Sequence, residues 1–168
     1  MARLEGEHNV SLSVIDRLID ADPGNRFDGA MTRAQSVRAL KQSLRRDLEW
    51  LLNSRRIALD EVETSFPETS KSLFYYGLPD FTALSFASPK DRQRLLRQLE
   101  QTIRTFEPRL ASVKVTAIEN ATDLQQRRLM RFQIEGLLKM DPAPEHVSFD
   151  TVLQLTSGDF TVRGEAGA

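Results

Sequence analysis

Apolar residues recur every three to four positions through the first two thirds of the chain and every second position through the last third. Leu12, Ile15 and Ile19 share one helical face, flanked by Val14 and Leu18, which predicts a short amphipathic helix over residues 11–20. Asp22-Pro-Gly24 ends it, and the polar run 25–33 reads as a loop. Thr32 with Gln35 has the form of a capping box. Val37, Leu40, Leu44, Leu48 and Leu51 then mark a second helix, placed to end near Asn53, a residue type that tolerates a left-handed cap. Its other face carries Arg38, Lys41, Arg45, Arg46 and Glu49. Residues 70–76 predict about two helical turns before Gly77, which suits a left-handed cap with Leu78 packing back and Pro79 preventing continuation. Ser88, Pro89 and Asp91 supply a cap, a first-turn proline and a first-turn acid. Leu95, Leu99, Ile103 and Phe106 form the face that follows, and Glu107 before Pro108 ends the helix.

Beyond Pro108 the period changes to two. Val113, Val115 and Ala117 alternate with polar neighbours; so do Met130, Phe132, Ile134, Gly136, Leu138 and Met140, and then Val147, Phe149, Thr151, Leu153 and Leu155. After the turn Ser157-Gly158-Asp159, residues 160–162 fold back as a hairpin arm. The pattern predicts a single α+β domain, with N-terminal helices packed on one face of a C-terminal, mainly antiparallel sheet of about four strands and the other face polar. So few strands cannot close a barrel, so two edges remain. The last arm and the first strand are the candidate free edges.

Composition narrows the class. With 168 residues, 40% hydrophobic and 28% charged, the chain is one ordinary globular domain. Absent cysteine removes disulfides, thiolate nucleophiles and cysteine metal sites, and the two histidines, His8 and His146, read as structural or solvated. The balance of 23 Lys plus Arg against 24 Asp plus Glu gives a net charge of -1, unlike a nucleic-acid-binding domain. The N-terminus lacks the apolar core of a signal peptide, and no stretch approaches the roughly 20 apolar residues of a membrane span. A cytosolic protein is expected, in which the sequons at Asn9 and Asn120 are chance matches.

No phosphate loop, dinucleotide fingerprint, metalloprotease helix or calcium loop is present, so no cofactor and no metal is expected. Asp60, Glu61 and Glu63, or Asp80 with Glu107, are nominal carboxylate pairs, but glycoside hydrolysis needs a separation of about 5 to 9 Å that sequence does not supply. The arginines from Arg38 to Arg56 read as a solvated face, with phosphate attraction the alternative. Phe74, Tyr75, Tyr76, Phe81 and Phe86 read as core and cap packing. Glu107-Pro108-Arg109 is a rigid corner between helix and strand. Its acid and guanidinium either pair with each other and lock the corner, or present a fork of donors to a partner.

In the order of its segments the chain resembles the type VI secretion system baseplate subunit family TssE, related to the small baseplate wedge protein of contractile-tailed phages. The residues that carry the resemblance are Leu12 to Ile19, Val37 with Arg46-Asp-Leu-Glu-Trp-Leu-Leu-Asn-Ser-Arg55, and Ser72 with Tyr76-Gly-Leu-Pro-Asp-Phe-Thr82. Ser88-Pro89, Phe106-Glu-Pro-Arg-Leu110, Pro144 to Leu153 and Phe160-Thr-Val-Arg-Gly164 continue it. The family has been called lysozyme-related, yet the resemblance implies a structural role without hydrolysis and a sheet like the domain by which sheath subunits clasp one another. It implies a wedge domain over residues 11–164 with tails at 1–10 and 165–168. The partners implied are the other baseplate wedge proteins TssF, TssG and TssK and the contractile sheath TssB/TssC, at a baseplate docked in the cytoplasm on the inner membrane complex, with no nucleic acid and no membrane insertion. It also implies that Glu107, Pro108 and Arg109 face the helical core of the wedge. The alternative function is a peptidoglycan-cleaving glycosidase, disfavoured because no acid and nucleophile pair can be nominated. A nucleic-acid module on the Arg38 to Arg56 face is weaker still.

Overall fold

A computed structural model describes residues 14–18, 32–57, 66, 68–82, 84–86, 88–118, 129–141 and 143–164. Its helices are α1 (Val14–Leu18), α2 (Arg33–Asn53) and α3 (Pro89–Phe106), followed by β1 (Leu110–Ile118), β2 (Leu129–Leu138), β3 (Glu145–Gln154) and β4 (Phe160–Arg163). The four strands pair antiparallel in the order β1-β2-β3-β4. The architecture is the α+β single domain expected. The proposed tails at 1–10 and 165–168 lie outside the described residues.

Local chemistry sets the helix starts. Thr32 Oγ1 accepts from the Gln35 N–H at 3.4 Å while Gln35 Oε1 accepts from the Thr32 N–H at 2.8 Å, the reciprocal box that satisfies two orphan donors. Ser88 caps Asp91 with Pro89 at the first position. Leu40, Leu44, Leu48, Leu51 and Leu52 of α2 and Leu95, Leu99 and Ile103 of α3 are buried against Phe132, Ile134, Leu138, Val147, Phe149 and Leu153 on the inner sheet face. Each fully buried leucine contributes about 1.5 to 3 kcal/mol of transfer free energy. The core thus follows the two periods read from the chain, Met130, Met140 and Leu155 packing at its margin.

Five expectations need correction. Asn53 is not in a left-handed cap: it is the last helical residue, Ser54 is extended, and the Asn53 side chain reaches Phe160 instead. Residues 70–76 form two 3-10 turns, Thr69–Lys71 and Leu73–Tyr75, with Ser72 extended between them. Gly77 is left-handed as expected, at φ +107°, because a Cβ there would lie 2.5 Å from the Ser54 carbonyl oxygen. In α1, Ile15 is 59% exposed, because this helix docks through Asp16 on Ser43 and Arg46; Leu12 and Ile19 lie outside the described residues. The first strand begins at Leu110, and a bulge at Ser112 (φ 52°) sets two residues of β1 opposite Gly136, so that Leu110 and Val113 both face inward while Ala117 is exposed.

The fifth concerns the sheet edges. β1 and β4 are the two edge strands, as expected, but helices of this chain pack against them, α3 on β1 and α2 on β4. The main chain of Phe160 and Val162 bonds to Asn53, Glu49 and Arg45, and that of Val113 and Val115 to Arg104 and Glu100. Neither edge is free at these positions.

Candidate functional site

The corner between α3 and β1 is built on a buried acid. Glu107 closes α3, donating its N–H to the Ile103 carbonyl, and is 5% exposed. Its Oε1 accepts from Arg109 Nε at 2.6 Å and its Oε2 from Arg109 Nη2 at 2.5 Å, a two-bond fork. Arg109 Nη2 also donates to Asp47 Oδ2 of α2 at 2.7 Å. From Asp47 the charges continue to Arg46, whose Nη2 reaches Asp47 Oδ1 at 2.9 Å and Asp16 Oδ1 of α1 at 2.7 Å. Ser43 Oγ donates to Asp16 Oδ2 at 2.5 Å. The Glu107 hydrogen bonds raise the Arg109 pKa above the ordinary arginine value against its burial, with Asp47 adding to them. Asp16 and then Asp47 do the same for Arg46. Pro108 stands exposed between the two paired residues, and its carbonyl accepts from Lys139 Nζ at 2.8 Å. In the free chain, then, the acid and guanidinium lock the corner internally.

Beside this lock runs an open groove of about 360 Å³, lined in part by Ile15, Trp50, Leu51, Tyr76, Phe106 and Pro108. Trp50 is 55% exposed, with the Arg46 guanidinium 5.0 Å from its ring centre. Tyr76 packs edge-on against Phe106 at 5.4 Å. Burial, with Asp47 and Glu107 nearby, pushes its phenol above the ordinary tyrosine pKa. Asp16, Asp47 and Trp50 stand in the sequence only inside strings that carry the resemblance, with no role assigned, and Ser43 stands in none of them. The available signal was spacing: Ser43, Asp47 and Trp50 fall at i, i+4 and i+7, a stripe of two polar residues and an aromatic running beside the leucines.

The string Tyr76-Gly-Leu-Pro-Asp-Phe81 belongs to the scaffold. Leu78 forms a parallel bridge with Arg55, its carbonyl accepting from the Arg56 N–H at 2.9 Å, and its side chain is fully buried. Phe81 packs edge-on against Phe160 at 5.9 Å, and the Arg55 guanidinium sits 4.5 Å over the Phe81 ring while Nη2 donates to the Gly158 carbonyl at 2.7 Å. Burial lowers the Arg55 pKa.

The remaining candidates do not converge. His146 is exposed on β3, and His8, Asp60, Glu61 and Glu63 lie outside the described residues. Among the described residues no group of three or more His, Asp or Glu side chains is placed to hold a metal ion. Asp80 is exposed, and its carboxyl is held below the usual range by the Thr82 N–H, the opposite of what a general acid needs. Both oxygens of Glu107 are occupied by Arg109. Much of the basic face of α2 turns inward to protein: Lys41 to Glu145 at 2.6 Å, Arg45 to the Val162 carbonyl at 3.1 Å, Arg46 to Asp16. No helix among the described residues is long and apolar enough to cross a membrane.

Fold and corner together describe a small α+β module in which buried charge holds one helix-to-strand junction rigid. Residues 38–143 match the model of the family described as baseplate wedge protein gp25, and the chain belongs to that family. A chain in a solved structure described as "The baseplate complex from the type VI secretion system" is 21% identical, with a TM-score of 0.45, covering 67% of this chain and 93% of that one. No curated protein matches.

Proposed function

We propose that this chain is a structural, non-enzymatic wedge component of a type VI secretion baseplate, formed by residues 11–164, that works in the cytoplasm. It binds the helical core of the wedge through Glu107, Pro108 and Arg109, associates with the other baseplate wedge proteins TssF, TssG and TssK, and helps to seed and anchor the TssB/TssC sheath. The observation that carries this reading is the family match, whose span of residues 38–143 includes most of α2, all of α3, the corner and the first two strands. The geometry suits it: a locked corner loses little conformational entropy when a partner docks, and Pro108 and Trp50 flank an apolar groove beside it. The nominal pair Asp80 and Glu107 lends catalysis no support, since Asp80 is held below the usual carboxylate range and Glu107 is occupied.

The test is co-purification of the full chain with TssF and TssG. Pro108→Asp, at an exposed position, is expected to keep the wild-type melting temperature and to lose the complex. A complex that survives this substitution, or peptidoglycan turnover that disappears on removing one carboxylate, overturns the reading.

A further inference from the structure

We propose that α2 and α3 carry side-chain surrogates for missing strands, an autoinhibitory contact that closes β4, and β1 at Val113 and Val115, to main-chain pairing with another chain. In an antiparallel edge strand every second residue turns its N–H and C=O away from the sheet, and those groups are a template for strand addition. On β4, whose four residues pair with β3, the residues so turned are Phe160 and Val162. All four of their groups are taken by α2. Asn53 Oδ1 accepts from the Phe160 N–H at 2.8 Å and Asn53 Nδ2 donates to the Phe160 carbonyl at 2.9 Å, as the peptide groups of a paired strand would. Glu49 Oε2 accepts from the Val162 N–H at 3.3 Å and Arg45 Nη1 donates to the Val162 carbonyl at 3.1 Å.

The other edge repeats the device with a second helix. Glu100 Oε1 accepts from the Val115 N–H at 2.9 Å, and Arg104 Nη2 donates to the Val113 carbonyl at 2.7 Å. Each clamp is a Glu and an Arg four residues apart on one helix, 3.6 Å apart in α2 and 3.7 Å in α3. The carboxylate takes the outward N–H and the guanidinium the outward carbonyl. One such contact is an ordinary surface bond; the same pair recurs on both edges, and with Asn53 it takes every outward group of Phe160 and Val162 on β4, while on β1 it takes the two outward groups between Val113 and Val115. The side chains of Arg45 and Glu49 are 37% and 35% exposed, so they can swing into water without opening the core. An incoming strand must displace them first. This inference concerns the free chain and stands whether or not the corner binds a wedge partner.

The test uses the full chain carrying Arg45→Met, Glu49→Leu and Asn53→Leu, which keep helix-forming residues in α2. The variant is expected to retain wild-type circular dichroism. Its Phe160 and Val162 amides should exchange about tenfold faster or more, and its mass in sedimentation should rise with concentration while the wild type stays constant. A variant that stays monomeric overturns the proposal, whether its exchange is unchanged or faster. If the triple variant does not fold, Asn53→Asp takes its place: it keeps an acceptor for the Phe160 N–H and loses the donor to the carbonyl. Wild-type amides at Phe160 and Val162 that exchange as in an unfolded chain, or an Asn53→Asp protein as monomeric as the wild type, again overturn it.

Discussion

Arg109, at the entrance to the sheet, donates to Asp47 in the middle of α2 at 2.7 Å, a contact across 62 positions of sequence. It turns a local turn motif into a tertiary tie. The same guanidinium holds Glu107, so one cation fixes the helix end, the strand start and the neighbouring helix together.

Removing that cation leaves a carboxylate that is 5% exposed without its partner. Arg109→Ala is expected to lose about 3 kcal/mol, a fall in Tm of about 10 °C. Adding Glu107→Gln should return part of the loss, because a neutral amide is cheaper to bury than a charge. Thermal melts of the single and double variants check this. A loss below about 1 kcal/mol would instead class the pair with ordinary surface ion pairs.

Gly77→Ala combines a φ of +107° with a Cβ 2.5 Å from the Ser54 carbonyl oxygen, a backbone atom that cannot swing aside. A loss of about 3 kcal/mol is expected, read as a lower urea midpoint at unchanged slope.

Ser112 sits at φ 52° in the bulge of β1. Ser112→Gly relieves about 1 to 2 kcal/mol of left-handed strain and concedes about 0.5 to 1 to unfolded-state entropy, for a net gain of about 0.5 kcal/mol. Ser112→Val should move the urea midpoint the other way.

Tyr76 gives a dependence on alkaline pH. Its folded pKa is raised above 10.0, chiefly by burial. A raised acid is stabilising below its unfolded pKa, and that contribution disappears as pH rises through the folded value. Stability should therefore decline above pH 10 more steeply in the wild type than in Tyr76→Phe, as urea midpoints across that range will show.

The two periods were enough to read α2, α3 and all four strands, because burial on one face imposes spacing directly on sequence. Interactions that cross the fold left no such trace. Asn53 looked like a cap because its partner Phe160 lies 107 residues away. At the corner, adjacency made the Glu107 and Arg109 pairing conceivable, but the bond from Arg109 to Asp47 of α2 crosses 62 positions, which spacing within the motif does not report. The bulge at Ser112 was missed because Ser, unlike Gly, does not announce a left-handed backbone.

The clamp on β4 also bears on how the chain is made. Arg45 and Asn53 find their partners 117 and 107 residues later, at Val162 and Phe160, so the ribosome finishes α2 long before the strand it holds exists. At ordinary elongation rates the wait is roughly 5 to 20 seconds. Until β2 and β3 emerge, the leucine stripe of α2 has no sheet to cover it, while each later strand can pair with its predecessor as it emerges. Nascent chains are therefore most vulnerable to chaperone capture and proteolysis in their first half, and a chain cut short before Phe160 keeps a helix with no strand to hold.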